Sequence, residues 1–133
     1  MTENLLNLLL KDLKTNHREN ERLSDQVLST LKCLFPRIGL GALDLVDNCK
    51  VEKLIGASTK RSCFKVIGSS RTPYFCYISA NYCSCPAFKY SVLRNEENYT
   101  CKHVLAALLS DAMNLTKNRE IPDKELSEIL RQM

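Results

Sequence analysis

Leucine recurs at Leu5, Leu6, Leu8, Leu9, Leu10 and Leu13, a spacing that a helical turn gathers into one broad apolar face. Such a face is wider than a lone surface helix needs. It fits either a core helix or a docking surface built from Leu5, Leu6, Leu9, Leu10 and Leu13, and no comparably long apolar partner helix is evident nearby. The polar stretch from Thr15 to Arg22 reads as a loop, with His17 a solvated side chain. A second helix follows, with Ser24 as N-cap, Asp25 in the first turn, an apolar stripe of Leu23, Val27, Leu31, Leu34 and Phe35, and Pro36 as its stop. Gly39 and Gly41 punctuate the chain before Ala42–Asp47, a short helix or irregular turn.

From Val51 the pattern changes. Residues 51–57, 62–68 and 73–80 are rich in β-branched and aromatic residues and are separated by short polar turns, which predicts a three-stranded antiparallel meander. Phe64 and Val66 share one face of their strand, as Tyr74, Cys76 and Ile78 do on the next. Pro86 fits a strand end turning into a helix over Ala87–Arg94, with Phe88 and Val92 one turn apart, and residues 94–98 make a polar turn. A helix from His103 to about Thr116 and a last amphipathic one opened by Pro122, carrying Leu126, Ile129 and Leu130, complete the chain. The expected organisation is one compact α+β domain. It comprises an N-terminal helical segment (1–50), the meander with a metal-binding element (51–116) and a C-terminal helix (117–133).

Within this pattern lies an array of chemical groups: Cys83-Ser-Cys85, fifteen residues, then Cys101-Lys-His103. Three soft thiolate donors and one of only two histidines make the ligand set of a closed, four-coordinate structural zinc site, one ion per chain. On an extended strand, residues two apart face the same way, so Cys83 and Cys85 can grip one ion. Inside a regular helix residues two apart diverge by about 200°. Cys101 and His103 therefore converge only where a loop enters a helix, Cys101 just before the first turn and His103 within it. A Cys83–Cys85 disulfide fails on separation and direction. A Cys/His nucleophile would need a third group to orient His103, and none is evident. No other constellation of His, Cys and carboxylate suggests catalysis, and the chain has no G-x-x-x-x-G-K-[ST] phosphate loop, so an enzyme is not expected.

Composition narrows the setting. The 133 residues (15.2 kDa) are 44% hydrophobic and 26% charged, ordinary for a globular domain near the size where a metal helps stability. The N-terminus is acidic-polar, unlike a secretory signal, and no apolar run approaches a membrane span. Seven cysteines then point to a reducing compartment, cytosol or nucleus, with Cys33, Cys49, Cys63 and Cys76 as reduced packing residues outside the metal site. The formal charge is +4, mildly basic. Its distribution is uneven: between positions 50 and 71 lie Lys50, Lys53, Lys60, Arg61, Lys65 and Arg71 against the single acid Glu52, with Tyr74 and Tyr77 nearby. These cations fit either phosphate contacts with stacking tyrosines or a solvated sheet face guarded by edge lysines.

The string from Tyr82 to Phe88, with Cys101-Lys-His-Val-Leu-Ala106, resembles the SWIM zinc finger, whose pattern is C-x-C, a variable gap, then C-x-H. Ala106 matches the alanine found three residues past the histidine in one branch. Residues 42–47, 66–70 and 91–94 are similar to the small Shu-complex branch of that family, over roughly residues 28–130. The resemblance implies a zinc-clamped ββα element and Cys83, Cys85, Cys101 and His103 as ligands. It further implies a nuclear, non-enzymatic subunit of a homologous-recombination mediator. Such subunits pair with a RecA-like recombinase paralogue and promote recombinase filaments on single-stranded DNA. SWIM fingers also occur in transposase-like proteins and as interaction modules in ubiquitin-ligase or kinase assemblies. A chain of 133 residues leaves no room for a nuclease domain, whereas an adaptor role stays open.

Overall fold

The computed structural model describes residues 2–16, 25–68, 71–78, 81–86, 88 and 100–132. Of the loop expected over Thr15–Arg22, Thr15 and Asn16 instead end a helix; its remainder with His17, then Leu23 and Ser24, the helix proposed over 87–94 with Val92, and the turn at 94–98 lie outside these, apart from Phe88.

Three helices open the chain: α1 (Thr2–Asn16), α2 (Asp25–Leu34) and α3 (Gly39–Asp47). In α1 the helical period turns Leu6, Leu9 and Leu13 inward, where each is 2–4% exposed, while Leu5 and Leu8 remain 48% and 60% exposed. Leu10 is partly buried against the same core. The docking reading of Leu5, Leu6, Leu9, Leu10 and Leu13, one of the two the sequence leaves open, thereby yields to the core reading. Three of its five leucines are core, each contributing roughly 1.5–3 kcal/mol by burial, because α1 finds its apolar partners in α2 and α4. The stripe of α2 behaves as expected, with Leu31 and Phe35 buried and Val27 and Leu34 partly so. Gly39 and Gly41, expected to punctuate, are instead the first and third residues of α3. A Cβ at Gly39 would lie 3.3 Å from the Leu31 carbonyl oxygen, so the glycine allows α2 and α3 to meet closely.

The sheet has five strands in the order β4-β3-β2-β1-β5: β1 (Val51–Gly56), β2 (Ser62–Ile67), β3 (Pro73–Tyr77), β4 (Tyr82–Cys83) and β5 (Lys117–Ile121). The first three form the predicted antiparallel meander, with Val51 opposite Val66 and Phe64 opposite Cys76. The expected count of three strands is too low. The short β4 extends the meander, and β5 pairs parallel to β1, so 117–133 is not a helix alone. β5 escapes a hydrophobic pattern because four of its five residues are exposed and only Ile121 is buried. As an edge strand it is held by the ladder and by ion pairs Arg119–Glu52 (3.3 Å) and Lys60–Glu120 (3.6 Å).

Between β4 and β5 runs α4 (Lys102–Ala112). Val104, Leu105, Ala106 and Ala107 are all fully buried, a run that only a helix enclosed on every side can sustain. The sheet covers one side of it; α3 and α1 cover the other. The main core lies here. On the opposite sheet face, α5 (Asp123–Gln132) covers a smaller cluster of Leu54, Cys63, Ile121 and Leu126.

Candidate metal centre

The start of α4 is where the two cysteine pairs meet. β4 sets Cys83 directly opposite Cys76 on β3, and the Ser84 N–H continues this pairing by donating to the Phe75 carbonyl at 3.1 Å. The chain then leaves the ladder. The Cys85 N–H donates to Cys83 Sγ at 3.4 Å, and the Phe88 N–H donates to Cys85 Sγ at 3.3 Å. Cys83 and Cys85 thus converge through an N–H···S turn rather than as two positions of one regular strand, which ends at Cys83. Cys101 takes the extended N-cap position (φ −95°, ψ 167°), and His103 falls in the first turn of α4, as the spacing predicts. The helix N-terminus places its partial positive charge beside the sulfurs.

Cys83 Sγ, Cys85 Sγ, Cys101 Sγ and a His103 ring nitrogen all lie within 4.8 Å of one another, and all four residues are buried. His103 turns Nδ1 toward Cys101 Sγ at 3.9 Å. Zn–S and Zn–N bonds of about 2.3 and 2.0–2.1 Å imply tetrahedral edges of about 3.6–3.8 Å, so small side-chain adjustments close this cage on one ion. Tyr74 holds the other flank of the imidazole, its ring centroid 4.6 Å away. Gly68 sits against both: a Cβ there would lie 3.0 Å from Tyr74 Cε2 and 3.5 Å from His103 Nε2.

The thiols themselves call for a cation. Cys85 is held well below the usual thiol range, chiefly by hydrogen bonding with Cys101 and then Cys83. Contact with Cys83 first and Cys85 next, with burial added, pushes Cys101 far above it. For Cys83 the strongest single influence, Cys101, is downward, but Cys76, Cys85 and burial together outweigh it and the net shift is upward. Three buried sulfurs this close share negative charge poorly until a dication compensates them, and then all three serve as thiolates. The donor set fits zinc, and with four protein ligands the centre is of the closed, structural kind.

Cys33 and Cys49 are exposed and outside this cluster, and Cys63, buried in the small cluster under α5, has its thiol pushed up to about 11 by burial. Cys76 is the surprise. It is outside the four-ligand set but fully buried, with its Sγ 3.5 Å from Cys83 Sγ. Spacing along the chain could not reveal this contact, because it depends on the register of β3 against β4.

The six basic residues of the meander do not form one surface. Lys53 lies over the Phe64 ring at 5.8 Å, Lys60 pairs with Glu120, Lys65 stands opposite Glu52, and Arg61 is exposed in the β1–β2 turn. Only Lys50 and Arg71 come together, and they do so with Lys102, which the sequence reading passed over, around a pocket between α3 and the start of α4.

A zinc centre of C-x-C and C-x-H donors, carried on a strand end and a helix start, defines a SWIM zinc finger protein, and the SWIM zinc finger family matches residues 74–111. The likeness extends far beyond the finger. The chain is 40% identical over 122 residues to zinc finger SWIM domain-containing protein 7 of Danio rerio, covering 92% of this chain and 86% of that protein. It is 41% identical over the same length to the Homo sapiens protein of that name, with the same coverage. To the Dictyostelium discoideum homologue it is 31% identical over 123 residues, covering 92% of this chain and 78% of the relative. The chain belongs to the family of zinc finger SWIM domain-containing protein 7. No solved structure matches it.

Proposed function

We propose that this protein is a non-catalytic, zinc-stabilised subunit of a Shu-type recombination mediator. In this reading it works in the nucleus, joined to a RecA-like recombinase paralogue, and promotes assembly or stability of recombinase filaments on single-stranded DNA. The observation that carries the proposal is a four-donor metal centre inside a chain that resembles one family over 92% of its length. Four protein donors leave no coordination position for a substrate or an activated water. The zinc therefore orders a surface rather than performing chemistry. Nucleotide hydrolysis in the assembly belongs to the partner, since the chain carries no phosphate loop of its own.

Affinity purification of the tagged full chain from nuclear extract, followed by mass spectrometry, tests this reading. A RecA-fold protein should copurify in stoichiometric amount, and Cys101→Ala should abolish its capture. A RING-bearing partner in its place would make the protein a ubiquitin-ligase adaptor and end the recombination proposal. Turnover of a hydrolase or ligase substrate that tracks the purified chain and disappears with His103→Ala would overturn the non-catalytic assignment.

A further inference from the structure

The pocket beside the metal centre has a volume of about 220 Å³ and is lined by three cations from three separate parts of the chain, Lys50, Arg71 and Lys102. Each is positioned by a specific local feature. Lys50 follows the left-handed Cys49 (φ 56°) that ends α3, and its N–H donates to the Leu45 carbonyl at 2.9 Å. Arg71 is itself left-handed (φ 65°) in the β2–β3 turn, which is closed by Arg71 N–H to Gly68 oxygen (2.9 Å) and Gly68 N–H to Thr72 oxygen (3.0 Å). An arginine in that backbone region costs energy that a glycine would not, so a charge is kept at an unfavourable position. Lys102 lays its aliphatic stem across Gly41, where a Cβ would come 3.5 Å from Lys102 Cδ.

Among the described residues none of these three cations is in an ion pair. The pocket's one acid, Asp44, accepts a hydrogen bond from the Asn48 side chain at 3.1 Å. The neighbouring centre, three thiolates around a zinc dication, carries one net negative charge. Asp44 and that centre offset two of the three cations, which leaves a single positive charge for a ligand. The volume lies below the roughly 300–1,000 Å³ of pockets that enclose drug-sized molecules. It suits one small anionic group presented by something larger.

We propose that Lys50, Arg71 and Lys102 form a phosphate site that seats one phosphodiester of a single-stranded polynucleotide. The phosphate chemistry follows from the pocket, whereas the choice of polynucleotide as bearer rests on the function proposed above. The site replaces the broad basic face expected from the sequence: four of those six cations are elsewhere or already occupied, and the third member comes from inside the C-x-H motif. The metal thereby has a second consequence, because it fixes the residues on both sides of Lys102.

The test is fluorescence anisotropy of the zinc-loaded full chain with a labelled oligothymidylate across a salt series. The double variant K50A/R71G removes two charges while relieving the left-handed backbone at position 71. It should weaken binding by roughly tenfold and make the slope of log affinity against log salt shallower by about 1.4, at about 0.7 for each lost contact. Arg71→Lys should retain most of the affinity. The control K32A/K124A removes two exposed charges elsewhere and should leave both quantities unchanged. The proposal falls if wild-type chain does not bind, if K50A/R71G binds like wild type, or if the control weakens binding equally. It also falls if inorganic phosphate, at the same concentration of phosphate groups, displaces the oligonucleotide, since the site then serves the free anion. Failure to capture a RecA-fold partner would end the recombination reading and leave these measurements untouched.

Discussion

On one face of the sheet, α4 is enclosed by α1, α3 and four strands, and its first turn ends in a cage of three sulfurs and an imidazole. On the other face, α5 buries its Leu126 against Leu54, Cys63 and Ile121, with Phe75, Tyr77, Ile129 and Leu130 only partly covered. The larger core is the one that carries the metal centre. Burial of apolar side chains holds most of α4, whereas its N-terminus gathers three sulfurs and an imidazole within 4.8 Å, a grouping that a metal dication would compensate. Among the described residues the smaller core has no such grouping. It is fastened by the Asp123 carboxylate, which accepts from the Ser58 and Thr59 N–H groups at 3.2 Å and from the Thr59 hydroxyl at 3.1 Å, tying the start of α5 to the β1–β2 turn.

Removing zinc should separate the two faces most sharply. A structural zinc site contributes on the order of 10 kcal/mol, comparable with the whole stability of a small domain. Cys101→Ala or His103→Ala should abolish stoichiometric zinc and strip amide-exchange protection from the first turns of α4. Leu126→Ala, on the opposite face, should cost roughly 2–5 kcal/mol and leave zinc content at one ion per chain. Metal analysis with hydrogen exchange on the three variants decides the matter; a zinc-free chain with wild-type melting would refute the dependence.

The leucines of α1 give the next largest contrast. Leu9→Asp places a charge in the main core and should unfold the chain or cost several kcal/mol. Leu5→Asp and Leu8→Asp, on the exposed side, should stay within about 0.5 kcal/mol of wild type in urea titrations. Equal effects at all three positions would mean that α1 is not seated as described.

Gly68→Ala probes the wall behind the metal ligand. Its Cβ would meet Tyr74 at 3.0 Å and stand beside His103, so Tyr74 must yield, at a cost of roughly 1–3 kcal/mol for overpacking. Zinc affinity measured against a competing chelator should fall with it. Unchanged affinity would show that Tyr74 does not brace the imidazole.

The smallest effect belongs to Asp123. The hydrogen bond from the Thr59 N–H, helped by those from Ser58 and the Thr59 hydroxyl, holds its carboxyl below the ordinary range against the opposing influence of desolvation. A lowered folded-state value means that the contribution to stability is present above the unfolded carboxyl's pKa and is lost as pH falls through the folded one. Asp123→Asn should therefore flatten the acid limb of the stability profile slightly, without altering zinc content near neutral pH. A difference confined to alkaline pH would contradict the assignment.

Much of this molecule can be read from residue order. The apolar period of α2, the meander of β1 to β3 and the helix start at Cys101 are local signals, in which neighbouring residues state their own geometry. The four zinc ligands are equally legible, since soft donors in two close pairs have few other uses. Contacts between distant segments are a different matter. Whether Leu6, Leu9 and Leu13 face a partner or the core depends on α4 arriving almost a hundred residues later. β5 is a strand only because β1 offers it an open edge, for its own side chains are almost all polar and exposed. Cys76 reaches Cys83 through strand register, and Lys102 joins Lys50 and Arg71 because α4 and α3 cross at Gly41. Sequence alone determined the chemistry of the metal centre and the elements that carry it, because ligand identity and helical or strand period are written within a few residues. Only the tertiary structure decided which leucines are buried, where the sheet ends and which cations converge, because burial and charge clustering belong to the surfaces that packing brings together.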